Sequence, residues 1–249
     1  KDNIKALRLL WNPMCDEFLF DINMMECGDY YTKRKVLSII SAIFYPLGLL
    51  GPVIITTKIF MQQLWQTKLD WDDLLPHPLL ETWKNIYSTL HILKDFRISR
   101  LILGRGKIVQ IQMHGFSDAS EKAYAACIYL RSITDTGFCS VNLVCSKSRV
   151  APLKQQTIPR LELCGVKLLA RLASKTSQIL NLDIESTFLW SDSTIVLAWL
   201  AAGSTRWKIF VANRISEIQE LNSDAKWGHV HSEDNPVDIL SRGEAPELL

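Results

Sequence analysis

Four acidic residues, Asp118, Glu162, Asp192 and Asp238, fall where a fold can hold a carboxylate still. Asp118 follows the alternating run Ile108-Val109-Gln110-Ile111-Gln112-Met113, which predicts a strand. Asp192 follows a second strand-like run, residues 186–190. Glu162 falls in the first turn of a helix that Thr157 caps and Pro159 opens. Asp238 falls in the first turn of another, opened by Asn235-Pro236. Each has an ordinary explanation taken singly, as a turn former or as an acidic residue favoured at a helix start. Together they would face one another across a single sheet edge. Carboxylates that close cannot all stay ionised without cations. Hard divalent ions with oxygen ligands remove the conflict. Two Mg²⁺ about 3.5–4 Å apart would activate a water and stabilise the leaving oxygen of a phosphodiester.

The elements that must position these residues are legible in order. Residues 107–114, 123–130 and 138–146 predict three strands, and Asp135-Thr136-Gly137 a turn between the last two, so the three form an antiparallel meander. Leu161, Leu168, Leu169 and Leu172 repeat at helical spacing, predicting a helix to about Leu180. A strand over 186–190, a short helix ending at Gly203, a helix over 207–221, a strand over 225–230 and a closing helix complete an α/β unit.

The first hundred residues carry no catalytic constellation. Residues 5–10 and 18–22 flank Asn12-Pro13 and predict a short two-stranded piece. Residues 36–57 carry no charge, which raises a membrane span, but Pro46, Gly48, Gly51 and Pro52 break it. Two short buried helices fit better. Residues 55–65 and 79–93 predict amphipathic helices whose Trp and Tyr stripes belong to a core. Gly104-Arg105-Gly106 marks a boundary, with a helical segment over 1–104 and the α/β unit over 105–249.

With 48% hydrophobic residues and a formal charge of +2, the chain can bury a core but does not announce a nucleic-acid binder through global charge. Its six cysteines show no C-x-x-C spacing, which favours a reducing, intracellular setting in cytoplasm or nucleus. No signal peptide is expected at the start. The missing initiator Met marks the chain as a piece of something longer.

The motifs around the four carboxylates resemble those of a retroelement ribonuclease H. They are Phe116-Ser117-Asp118-Ala119-Ser120, Pro159-Arg160-Leu161-Glu162-Leu163, Trp190-Ser191-Asp192-Ser193 and Asn235-Pro236-Val237-Asp238-Ile239-Leu240-Ser241-Arg242. Val237 departs from the small residue usual before the last Asp. The segments Thr32-Lys33-Arg34-Lys35-Val36-Leu37-Ser38, Ile43-Phe44-Tyr45-Pro46-Leu47-Gly48-Leu49-Leu50-Gly51-Pro52 and Leu69-Asp70-Trp71-Asp72 resemble a Pao/BEL long-terminal-repeat retrotransposon polyprotein, between its reverse transcriptase and ribonuclease H.

The resemblance implies a mixed five-stranded sheet with flanking helices, preceded by a mainly helical, thumb- or connection-like reverse-transcriptase tail. It implies endonucleolytic cleavage of the RNA strand of an RNA–DNA hybrid with two Mg²⁺, or Mn²⁺. Asp118 would bridge both ions, Glu162 and Asp192 hold the one near the leaving group, and Asp238 the one activating water. His229 or His231 would assist product release or proton transfer, against an equal case for a structural histidine. Main-chain groups near Ser120 and Glu121 and polar residues at Gln155–Arg160 would read 2′-hydroxyls. Arg206, Lys208 and Arg214 would form a phosphate stripe, against a plain solvated helix face. The partners implied are the hybrid and the upstream reverse transcriptase. No membrane is implied, and no DNA synthesis, since a Tyr-x-Asp-Asp motif is absent. Two other readings stand beside this one. One is a decayed, non-catalytic remnant that still folds and binds nucleic acid. The other, disfavoured, is an aspartic peptidase using Asp135, since this region also goes by the name Pao retrotransposon peptidase. Its flanks lack the apolar residues and flap such an enzyme needs.

Overall fold

The computed structural model describes residues 4–6, 9–20, 22, 30–43 and 45–248. Cys27, Phe44 and parts of the strands expected over 5–10 and 18–22 lie outside the described residues. The chain divides into two compact units. One comprises Lys1–Pro46, Pro52–Leu101 and Gly243–Leu249, and the other Leu47–Gly51 and Ile102–Arg242.

In the first unit, the expected two-stranded piece is a small antiparallel sheet of β1 (Ile4–Ala6), β2 (Leu9–Asn12), β3 (Glu17–Leu19) and β4 (Ile98–Ser99). The fourth strand is distant in sequence and only two residues long, so local periodicity could not announce it. The uncharged run forms α1 (Lys33–Ala42) and α2 (Gly51–Gln66), split where the Pro and Gly residues predicted. No described helix is long and apolar enough to cross a membrane. The helix α3 (His77–Thr89) buries Trp83 against Phe60, with rings stacked at 5.6 Å, and Tyr31 meets Trp83 edge-on at 6.1 Å. These aromatic side chains are core, each deep ring contributing about 1.5–3 kcal/mol by burial.

The second unit is the α/β fold that positions the carboxylates. Its five strands are β5 (Ile108–Ala119), β6 (Ala123–Thr134), β7 (Cys139–Val150), β8 (Ser186–Ser191) and β9 (Lys226–His229), in the order β7-β6-β5-β8-β9. The meander β5–β6–β7 is antiparallel, while β8 and β9 run parallel to β5. All three meander strands run four or more residues beyond their predicted ends. Asp118 therefore lies inside β5, paired with Ala125, rather than after it. The residues after His114 stay in the strand, because Gly115 lies against Leu169 and the strand continues to Ala119. Asp135-Thr136-Gly137 forms the β6–β7 turn, with the Gly137 N–H donating to the Thr134 carbonyl at 2.9 Å and φ of +81° at Gly137.

The helix α4 (Ile158–Leu180) lies on one face of the sheet. Its Leu168, Leu169 and Ala173 pack on Met113, Ile128, Leu130 and Leu189. Its other flank, Leu163, Val166 and Ala170, meets α5 (Thr194–Ala202) and α6 (Ile209–Leu221) through Val196, Leu200, Ile215 and Ile218. The short helix α7 (Asp238–Arg242) sits on the opposite face, where Val237 and Leu240 cover Ala125 and Cys127. At the β7 edge, the Ser146 N–H donates to the Leu47 carbonyl and its hydroxyl to the Gly48 carbonyl, at 2.8 and 2.6 Å.

Two substitutions probe these contacts. Gly48 has φ of +74°, and a Cβ there would stand 2.0 Å from the Ser146 carbonyl oxygen. Gly48→Ala is expected to cost at least about 1–3 kcal/mol from backbone strain, read as a lower urea midpoint. Glu217 on α6 accepts from Arg171 and pairs with Lys167 at 2.7 Å, both on α4. The Arg171 bond, then the Lys167 bond, hold its carboxyl below the ordinary range. Such a group adds stability above its unfolded pKa and loses it as pH falls through its folded one. Glu217→Gln should therefore melt below the parent at neutral pH, with the gap closing as pH falls below the ordinary carboxylate range.

Candidate active site

Strand register sets the first two carboxylates side by side. Ser117 of β5 pairs with Ser191, the last residue of the parallel β8, so Asp118, next on β5, and Asp192, just past the end of β8, fall beside each other. Both stand at carboxyl ends, the edge where open α/β sheets bind ligands. The helix α4 brings the third. Its Gly165 lies so close that a Cβ would be 3.0 Å from the Asp118 carbonyl oxygen, which sets Glu162, one turn earlier, over the same edge. Glu162 falls just past the first turn, not in it, because α4 starts at Ile158. Thr157 precedes the helix without a side-chain cap bond. The fourth, Asp238, opens α7. The Asn235 side chain ties the approach to that helix onto β5, donating to the Ser117 carbonyl at 3.1 Å and accepting from the Val237 N–H at 3.3 Å.

A cavity of about 560 Å³ is lined by Asp118, Glu162 and Asp192 together with Lys122, Ile158 and Arg242. Asp238 does not line it but pairs with Arg242, whose Nε donates to Oδ1 at 2.6 Å. Asp118 is 7% exposed. Burial raises its carboxyl above the ordinary range, and the charges of Asp192 and Asp238 push the same way against a bond from Ser241. Glu162 is raised likewise, by burial first, with Asp192 and Asp118 adding to it against a bond from Ser193. The four carboxylates therefore share one electrostatic neighbourhood.

Each carboxylate is also fastened by a side chain from another position. Ser241 donates to Asp118 Oδ2, Ser193 to Glu162 Oε2 at 2.5 Å, and Ser232 to Asp192 Oδ2 at 2.8 Å. Asp192 Oδ1 is buried with no hydrogen-bond partner. Among the described residues, no three His, Cys, Asp or Glu side chains stand close enough together to hold an ion as placed. The donor set fits a hard divalent cation all the same. It is oxygen only, its charges help raise the Asp118 and Glu162 carboxyls, and one buried oxygen is left without a partner.

The remaining residues expected at the site are placed apart from the cavity, Ser120 and Glu121 excepted. Ser120 lines it, but its hydroxyl donates to the Ser241 carbonyl at 2.7 Å and accepts from the Lys122 and Ala123 N–H groups. Gln155 is exposed in the approach to α4. The Arg160 and Arg214 guanidiniums lie 4.9 and 3.5 Å from the Phe210 ring, and Arg214 Nη1 donates to the Phe210 carbonyl. Arg206 and Lys208 precede α6 rather than riding on it, since that helix starts at Ile209. His229 and His231 are exposed and meet edge-on at 5.5 Å. Sequence reasoning assigned no role to Ser193, Ser232, Ser241, Arg242 and Lys122. Three of these fall within or beside the carboxylate motifs, at Ser193 and Ser241-Arg242, whereas nothing in the sequence singles out Ser232.

The model of the Pao retrotransposon-like RNaseH-like domain family matches residues 32–193, taking in Asp118, Glu162 and Asp192 and stopping short of Asp238. No curated protein matches. Similar solved structures include RNase H1 from the halophilic archaeon Halobacterium salinarum, at 15% identity over 49% of this chain and 87% of that one, TM-score 0.31. LC11-RNase H1 in complex with RNA/DNA hybrid is similar at 11% identity over 51% and 89%, TM-score 0.35. The foamy viral protease–reverse transcriptase in complex with RNA/DNA hybrid is similar at 15% identity over 69% and 26%, TM-score 0.28. With more than half its length matched, the chain belongs to the Pao retrotransposon-like RNaseH-like domain family.

Proposed function

We propose that the chain is a metal-dependent ribonuclease that hydrolyses the RNA strand of RNA–DNA hybrids. The observation that supports this most is the convergence of Asp118, Glu162 and Asp192 on one cavity, with Asp192 Oδ1 buried and unpartnered. Asp118, Glu162, Asp192 and Asp238 would hold Mg²⁺ or Mn²⁺, which when bound supplies an activated water and stabilises the leaving oxygen. Lys122 and Arg242 place positive charge at the same cavity and would draw in the phosphate backbone. Glu121 lines it too, and its main chain would meet a 2′-hydroxyl. In this reading residues 105–249 are the nuclease domain and 1–104 the tail of an upstream reverse transcriptase. A second reading, a folded nucleic-acid-binding remnant without catalysis, is favoured by the carboxylates not being gathered to ion-binding distance.

Two measurements separate these readings. A Mg²⁺-dependent cut in the RNA strand of a labelled hybrid is expected from the full chain. Asp118→Asn and Asp192→Asn should each lower that rate by at least about 10²–10³-fold, as when one preorganised transition-state partner is lost. No cutting by the parent, or equal cutting by the variants, favours the remnant. The second measurement needs no substrate. Because burial raises the Asp118 pKa, its ionised form opposes folding. Stability therefore falls as pH rises from the ordinary carboxylate value through the raised one. Asp118→Asn in EDTA at neutral pH should melt above the parent. Added Mg²⁺ should raise the parent's melting temperature more than the variant's.

A further inference from the structure

Three of the four carboxylates are each held by a serine that belongs to a different element. Ser193, at the start of α5, holds Glu162 of α4. Ser232, beyond β9, holds Asp192 at the end of β8. Ser241, in α7, holds Asp118 of β5. The fourth carboxylate, Asp238, is held by a cation, Arg242. In every serine pair the hydroxyl donates to one named oxygen, Oδ2 or Oε2. For Asp192 the other oxygen, Oδ1, is buried and unpaired. A hydroxyl is neutral, so it fixes the rotamer of a carboxylate without cancelling the charge that attracts a cation. A lysine or arginine in its place would do both.

We propose that Ser193, Ser232 and Ser241 are positioning residues. They lock one oxygen of each carboxylate before any ion arrives and leave the second oxygen for the ion. This rests on the metal-dependent reading given under Proposed function. The latches also work between elements. Ser241 is fully buried, and its carbonyl accepts from the Ser120 hydroxyl at 2.7 Å, so the Asp118 carboxylate and the turn after β5 are fixed to α7 together. Ser232 is exposed, so its hydroxyl can be removed with little disturbance to the fold. Ser193 is the least informative of the three to change, because its hydroxyl also caps α5 by accepting from the Val196 N–H at 3.3 Å.

The test is Mn²⁺ binding by the full chain without substrate, read from the free-ion spin-resonance signal, with melting curves in EDTA alongside. Ser232→Ala and Ser241→Ala should each weaken Mn²⁺ binding by about tenfold or more, the usual loss when the hydrogen-bond partner of a metal ligand is removed. Ser232→Thr keeps the hydroxyl at an exposed position and should bind as the parent does. Ser232→Ala should melt with the parent in EDTA, which separates positioning from folding. The inference is overturned if the parent binds Mn²⁺ and cuts hybrid while Ser232→Ala binds equally well. It is also overturned if Ser232→Thr is as weak as Ser232→Ala. In either case the proposed activity stands. A parent that binds no Mn²⁺ removes the metal-dependent reading itself, and this inference with it.

Discussion

Negative charge confined in a poorly solvated corner is the constraint on which the second unit turns. Adjacent parallel strands deliver Asp118 and Asp192 to the same edge, and α4 adds Glu162. Nothing in apolar packing asks for this. Burial penalises each ionised carboxyl, and the neighbours add to the penalty. An arrangement with that cost survives in a marginally stable fold only if the surrounding core is strong enough to impose it. The leucine and alanine contacts of α4 with the sheet, and of α4 with α5 and α6, supply that strength.

The same packing explains how precisely the acidic edge is defined. Register pairing fixes β5 against β8 residue by residue. A one-residue slip would turn Asp118 to the other face and bury Met113, Ile128 and Leu189 wrongly. Gly165 lets α4 approach the end of β5 closely, so Glu162 is held by backbone proximity rather than by a flexible loop. The polar latches act last, on side chains already brought near by the core.

Much of this was legible from the residues. Alternation gave the strands of the meander, and the leucine spacing of residues 161–172 gave α4. The Pro and Gly residues at 46–52 split the uncharged run into two helices. What escaped was non-local. The pairing of β3 with β4 joins residues about eighty positions apart, and no local pattern encodes it. The extension of β5 through Asp118 was hidden because the alternating run ends at Met113, and α4, whose Leu169 lies against Gly115, is distant in sequence. Trp207 and Lys208 read as helical because the true start of α6, at Ile209, depends on the preceding turn at Ser204–Arg206. The serine partners escaped for a related reason. Ser232 reaches Asp192 across forty residues, and a serine in a polar loop carries no mark of that contact.

The strip of chain at Leu47–Gly51 lies against the outer strand of the sheet, although nearly all the rest of that unit begins at Ile102. Exposed outer strands invite pairing with other chains, and covering them with a loop is a common safeguard. Here the safeguard is contributed by a segment about a hundred residues upstream of the strand it covers. The two units are thus threaded through each other in sequence. No single cut separates them, and a cut between Gly51 and Ile102 would part the covering segment from Ser146, the residue of the outer strand that it bonds.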